Sequence, residues 1–151
     1  MLSLLNEHTD LLRQYEYWQQ SPQRFPLRIL HHDCKPSNIL FHQQTGQLLC
    51  PVEQPGLFFS DLGDMVRSMV PNLPEDHPHL SDLALRPLYW QALQEGYADG
   101  SHPLWTPDER AALPLAGVVL LYMQAMRFLA DYLLGDVYYH TSYPGQNLDR
   151  A

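Results

Sequence analysis

Apolar positions recur through the first 20 residues at a helical interval: Leu4, Leu5, Leu11, Leu12, Tyr15 and Trp18. That spacing predicts one amphipathic helix over residues 2–20, stopped by Ser21-Pro22. The period then shortens. Residues 27–30 form a brief apolar run that suits a strand. Residues 39–41 and 47–52, separated by Gln43-Gln44-Thr45-Gly46, read as a small hairpin. Pro55-Gly56 reads as a turn, and a short helix follows from Asp61 to about residue 70. Residues 71–78 are rich in proline and read as loop. A helical pattern over residues 81–98 carries Pro87 as an interruption and Gly100 as a stop. Thr106-Pro107-Asp108-Glu109 is a helix start, with a Thr cap, Pro in the first turn and Glu at the capping-box position. Pro114 is expected to break that helix before a longer one over residues 115–134. Residues 138–151 read as loop. The sum is an α+β fold, mostly α-helical, with one small β-hairpin.

Composition narrows the class. A chain of 151 residues with 45% hydrophobic content can bury a core as a single domain over residues 1–151. A net charge of −8 argues against nucleic acid and against an anionic membrane surface, since both need clustered Lys and Arg. Cys34 and Cys50 do not make a disulfide framework, and reduced thiols in a cytoplasm are expected. The first residues turn polar too soon for a signal peptide. The apolar run over residues 115–134 is interrupted by Gln124, Arg127 and Asp131. A charge near a bilayer centre costs about 2.5–3.5 kcal/mol even on the lenient scale, so a core helix is expected rather than a membrane span.

Chemistry concentrates in His31-His32-Asp33-Cys34-Lys35-Pro36-Ser37-Asn38. The pattern His-x-Asp, with Asn five residues after the Asp and an apolar run behind it, reads as a kinase catalytic loop. There the Asp accepts the proton of the attacking hydroxyl and the Asn holds magnesium on the nucleotide phosphates. A base must lie within hydrogen-bond reach of the nucleophile while the metal ligand faces the phosphates, and this spacing allows both. The chain has a single Lys, Lys35, two residues past the base, where it would face the transferring phosphate. His31 is expected to brace the loop. Cys34 has no visible activating partner. Asp61 suits a helix cap and Asp64 an i+3 pair with Arg67. Asp76-His77-Pro78-His79 lacks a third convincing metal ligand and reads as a solvated loop. Arg127 has two readings: a helix salt bridge to Asp131 at i+4, or a ligand residue that Asp131 orients.

Four segments carry a family resemblance. They are residues 30–38, then Phe58-Phe59-Ser60-Asp61-Leu62-Gly63-Asp64-Met65-Val66-Arg67, then residues 122–132 around Arg127, then Gly135-Asp136-Val137-Tyr138-Tyr139. In this order the chain resembles the C-terminal lobe of the aminoglycoside phosphotransferase and choline kinase superfamily. Within it the likeness is to N-acetylhexosamine 1-kinases, which move the γ-phosphate of ATP to the anomeric hydroxyl of an N-acetylhexosamine. The resemblance implies Asp33 as catalytic base, with Lys35 beside it, Asn38 as magnesium ligand, and Arg127 and Tyr138 as walls of the sugar pocket. ATP and Mg2+ are the implied cofactors, and an N-acetylhexosamine-like sugar is the implied ligand.

Two departures shape the expectation. The family has an N-terminal lobe with a nucleotide-covering loop and a phosphate-binding Lys, and this sequence begins at the helix before the catalytic loop. The family also carries an Asp-x-Asp segment after the hairpin, whose first Asp binds magnesium. Here the stretch is Cys50-Pro51-Val52-Glu53-Gln54-Pro55-Gly56, short of the family's spacing, with Glu53 near the position of that Asp. Glu53 is either a displaced metal ligand or a solvated turn residue, and magnesium tolerates little displacement. The chain alone is therefore expected to be inactive. Three readings stay open: an enzyme completed by a separate N-lobe or a partner chain; a non-catalytic sugar-binding or interaction domain; and a truncated product without function. A homodimer that covers the surface facing the N-lobe is the other open partner.

Overall fold

The computed structural model describes residues 2–34, 38, 40–50, 54–75, 77, 80–101 and 104–151. Among the described residues, six α-helices and four short strands follow one another as α1 (Leu2–Glu7), α2 (Asp10–Gln20), β1 (Arg28–Leu30), β2 (Leu40–Phe41), β3 (Leu48–Cys50), β4 (Gln54–Gly56), α3 (Phe59–Met69), α4 (Pro87–Ser101), α5 (Pro107–Leu133) and α6 (Gln146–Arg150). The fold is α+β and mostly helical, as the hydrophobic pattern predicts. β2 and β3 form the expected antiparallel hairpin, pairing Leu40 with Cys50 and Phe41 with Leu48.

Several boundaries differ from the pattern. The first helix is two, α1 and α2, joined through His8 and Thr9 by short i to i+3 hydrogen bonds, Leu11 N–H to the His8 carbonyl and Leu12 N–H to that of Thr9. Pro55-Gly56 is a strand rather than a turn: β4 pairs antiparallel with β1, with Arg28 opposite Gly56 and Leu30 opposite Gln54. Pro87 starts α4 instead of interrupting it, because a proline in the first turn gives up no intrahelical hydrogen bond. Gly100 lies inside α4. Pro114 lies inside an unbroken α5. It points to solvent, while Ala112, Leu113, Ala116 and Gly117 around it are buried, so tertiary packing outweighs one lost backbone bond. The tail holds the short helix α6.

α3 and α5 make the central contact. Each brings a glycine to the crossing. A Cβ on Gly63 would lie 2.7 Å from Leu120 Cβ, and one on Gly117 would lie 2.7 Å from Val66 Cγ1. Around that crossing Leu62, Val66, Ala116 and Val119 are buried, and α2 adds Trp18 to an aromatic cluster with Phe25, Phe58 and Phe59. The α5 start is clasped to β1. Thr106 and Glu109 form the expected capping box, and the fully buried Glu109 carboxylate also receives both Nε (3.1 Å) and Nη2 (2.6 Å) of Arg28. A two-point guanidinium–carboxylate fork of this kind fixes geometry as well as charge. α5 is long and apolar enough to cross a membrane by length and composition, but in this fold it is the helix that α3 packs against.

Candidate functional site

The loop that leaves β1 is hung from α3. Asp61, in the first turn of α3 and buried, accepts the backbone N–H of His31 at 3.1 Å and of His32 at 2.7 Å. It is not a helix cap, because its carboxylate is spent on the loop. His32 takes a left-handed backbone conformation (φ +68°), which turns its ring back under the loop. There Nε2 meets the Gln54 carbonyl at 3.1 Å and Nδ1 meets Ser60 Oγ at 2.7 Å. A carbonyl only accepts, so Nε2 carries the proton and Nδ1 accepts from the serine hydroxyl. One ring thus joins the loop, β4 and α3. Gly56 makes room for it: a Cβ there would sit 1.9 Å from His32 Cε1.

Asp33 and Asn38 come together on this platform. The Asn38 amide donates to the Asp33 backbone carbonyl at 3.1 Å and also to its carboxylate. With Nδ2 so engaged, Oδ1 is the atom left for a cation. His31 braces the loop as expected, its Nδ1 accepting the Asp33 N–H at 3.3 Å. Lys35 and Glu53 lie outside the described residues, as do Asp76 and His79 of the histidine-rich loop. Among the described residues no group of three or more His, Cys, Asp or Glu could hold a metal ion. Asn38 Oδ1 beside Asp33 is a partial donor set for magnesium, which wants near-octahedral oxygen ligation.

Electrostatics around the loop are acidic. Burial, then the charge of Asp61 and a hydrogen bond to it, with Asp64 and Asp33 adding, push the Cys34 thiol up to about 12. It stays protonated at neutral pH and is no nucleophile. Burial likewise raises the Tyr97 phenol well above its usual range, with Asp61, Cys34 and Glu109 reinforcing it. Asp64 pairs with Arg67 at 2.7 Å, as its i+3 spacing predicts.

Arg127 is placed differently from both of its sequence readings. Asp131 neither bridges to it nor touches it directly. The Asp131 carboxylate is buried and gathers the N–H groups of Val137 (3.1 Å), Tyr138 (2.8 Å) and Tyr139 (2.9 Å), plus the Asn147 amide (2.9 Å). Burial acts to raise its pKa, but the three backbone donors together hold it below the usual carboxylate value. Asp131 therefore shapes the turn that presents Tyr138 and Tyr139. Arg127 stacks against those rings, its guanidinium carbon 6.0 and 5.6 Å from their centroids, and reaches Gln124 Oε1 at 3.4 Å. Gln124 in turn donates to the Tyr139 hydroxyl at 3.2 Å.

A cavity of about 560 Å³ lies between α2, β4, the start of α3 and the middle of α5. Tyr15, Gln19, His32, Gly56, Ser60 and Arg127 line it; neither Asp33 nor Tyr138 does. Arg127 and the loop are thus brought to one cavity through His32, the neighbour of Asp33, while Tyr138 stands exposed beside Arg127. A second cavity, between α1, residues 71–75 and the other face of α5, includes none of the sequence-predicted site residues. The motif points to Asp33 and Asn38 but is silent on His32, Gly56, Ser60 and Asp61. Their only trace is the Ser-Asp pair that opens α3 and a glycine after proline. No protein-family model matches the sequence.

Proposed function

We propose that this chain is the acceptor-side, kinase-like lobe of an ATP-dependent phosphotransferase that phosphorylates an N-acetylhexosamine-like sugar. The observation that carries the reading is the Asp33–Asn38 contact on a loop fixed by two N–H bonds to buried Asp61. A carboxylate held beside an amide on one loop is the arrangement kinase catalytic loops use for phosphoryl transfer. Arg127 supports a polar ligand in the adjoining cavity, since its charge is not neutralised by Asp131. In this reading Asp33 accepts the proton of the sugar hydroxyl, Lys35 faces the transferred phosphate, Arg127 and Tyr138 hold the sugar, and Asn38 Oδ1 and Glu53 are the magnesium ligands. Magnesium and ATP supply phosphate activation when bound. The donor set among the described residues is too thin to carry a step through the metal.

The test is phosphate transfer from ATP to N-acetylglucosamine or N-acetylgalactosamine with excess Mg2+. It is run with the 151-residue chain alone and with a nucleotide-covering lobe supplied in trans, and Asp33→Asn serves as the contamination control. We expect turnover only with the added lobe, lost in Asp33→Asn. Asp33-independent turnover, or none in either arrangement, overturns the phosphotransferase reading. The second reading, a sugar-binding domain without nucleotide chemistry, rests on Arg127 alone, which lines the cavity with no bridge to Asp131. It predicts calorimetric binding of the sugar, abolished by Arg127→Met with little change in Tm, and no binding of ATP.

A further inference from the structure

We infer that Asn147, on α6, is a positioning residue for the Arg127–Tyr138 face of the proposed sugar site, an inference that rests on that reading. Asn147 is fully buried. Its side-chain nitrogen donates to two carboxylates at once, Asp131 Oδ2 and Asp136 Oδ1, each at 2.9 Å. Those acids sit on either side of the turn after α5. Asp131 holds the N–H groups of residues 137–139, and Asp136 occupies a left-handed conformation (φ +58°) at the turn itself, its N–H on the Asp131 carbonyl. Both protons of one amide are consumed in keeping two negative side chains together, and the strain of that turn is held by the same contact. The Asn147 oxygen accepts from Arg150 Nη1 at 3.1 Å, which fixes which end of the amide faces the acids.

The turn is what presents Tyr138 and Tyr139 to Arg127. The amide is therefore linked to the sugar face through a continuous chain: Asn147 to Asp131, Asp131 to the Tyr138 and Tyr139 backbone, and the two rings to the guanidinium. The charged and titratable groups facing Asn147 are Asp131 from α5, Asp136 from the turn and Arg150 from its own helix. Asp149 is turned away to the Tyr143 hydroxyl.

Replacing the amide by an isosteric acid separates a positioning role from a general loss of packing. Asn147→Asp puts a third carboxylate against two, which raises the pH at which the cluster takes up a proton. At pH 7.5 the variant lacks the donor. At pH 5 the bound proton restores one of the two donors, enough to hold two of the acids together. N-acetylglucosamine binding is measured by calorimetry at both pH values and expressed relative to the wild-type chain at the same pH. The expected result is a loss of about tenfold or more at pH 7.5, the scale of losing a hydrogen bond to a charged acceptor, and recovery to within about threefold at pH 5. Asn147→Ala, which removes the donor without adding an acid, is expected to be impaired at both. Should Asn147→Asp fail to fold at pH 7.5, its pH 5 binding against that of Asn147→Ala still decides the matter. Equal affinity of Asn147→Asp and wild type at pH 7.5, or no recovery over Asn147→Ala at pH 5, overturns the inference. Absence of sugar binding by the wild-type chain at either pH overturns the sugar reading and this role with it.

Discussion

His32 and Gly56 occupy one volume between them. The ring lies where a side chain at residue 56 would go, so the two positions must be strongly coupled. Gly56→Ala should cost about 1–3 kcal/mol in an otherwise unchanged chain, as overpacking does. In a His32→Ala background the same methyl enters vacated space and should cost less than about 1 kcal/mol. Urea unfolding of the four-member cycle measures this coupling, and additive effects would contradict the geometry. The cycle also marks the limit of sequence reading at this scale. Asp33 and Asn38 are legible because carboxylate and amide lie five residues apart on one loop. The groups that hold the loop lie 22 to 30 residues away in sequence, on β4 and α3, and no local spacing announces them. Arg127 was visible as an isolated cation, but its i+4 acid was the wrong partner: that carboxylate finds stronger donors in the backbone of the following turn.

At the scale of elements, the start of α5 is the best-specified point of the chain. Thr106, Pro107 and Glu109 announce it in sequence, and they form the capping box as expected. The same glutamate is also the buried partner of Arg28, a role with no sequence signature because Arg28 is 81 residues away. The two roles separate by mutation. Thr106→Ala loses a cap and should cost about 1 kcal/mol. Glu109→Ala strands a partly buried guanidinium as well and should cost about 3–5 kcal/mol. Denaturant midpoints at constant slope would check the difference, and equal losses would mean that the Arg28 fork contributes nothing. Where proline alone guided the reading, it misled in both directions. Pro114 is tolerated inside α5 on its exposed side, and Pro55 sits in a strand, since the short β1–β4 pair can spare its N–H.

For the molecule as a whole, two helices carry the site. α3 supplies Asp61 and Ser60; α5 supplies Arg127 and Asp131. Their separation is set by Gly63 and Gly117, so Gly117→Ala should push on Val66 and destabilise by about 1–3 kcal/mol, with partial rescue by Val66→Ala. Thermal melts of the single and double variants test this. A second whole-molecule property follows from Asp131. Its pKa is held below the unfolded carboxylate value, so its stabilising contribution is complete above about pH 4 and disappears as pH falls through the folded value. Asp131→Asn should lower Tm at neutral pH and flatten the fall of Tm below about pH 4. An unchanged acid limb would mean that another carboxylate governs it.

The close fit of α3 on α5 has a consequence before the fold is complete. α3 emerges during synthesis well ahead of α5, and α5, 27 residues long, meets its cover only once it has been made. Until then α5, long and apolar enough to cross a membrane by length and composition, lacks its α3 cover. The two glycines thus set where Asp61 and Arg127 stand and also how closely the apolar face of α5 is covered. A variant that loosens the crossing should move from the supernatant to the membrane pellet of expressing cells before it loses its helix content.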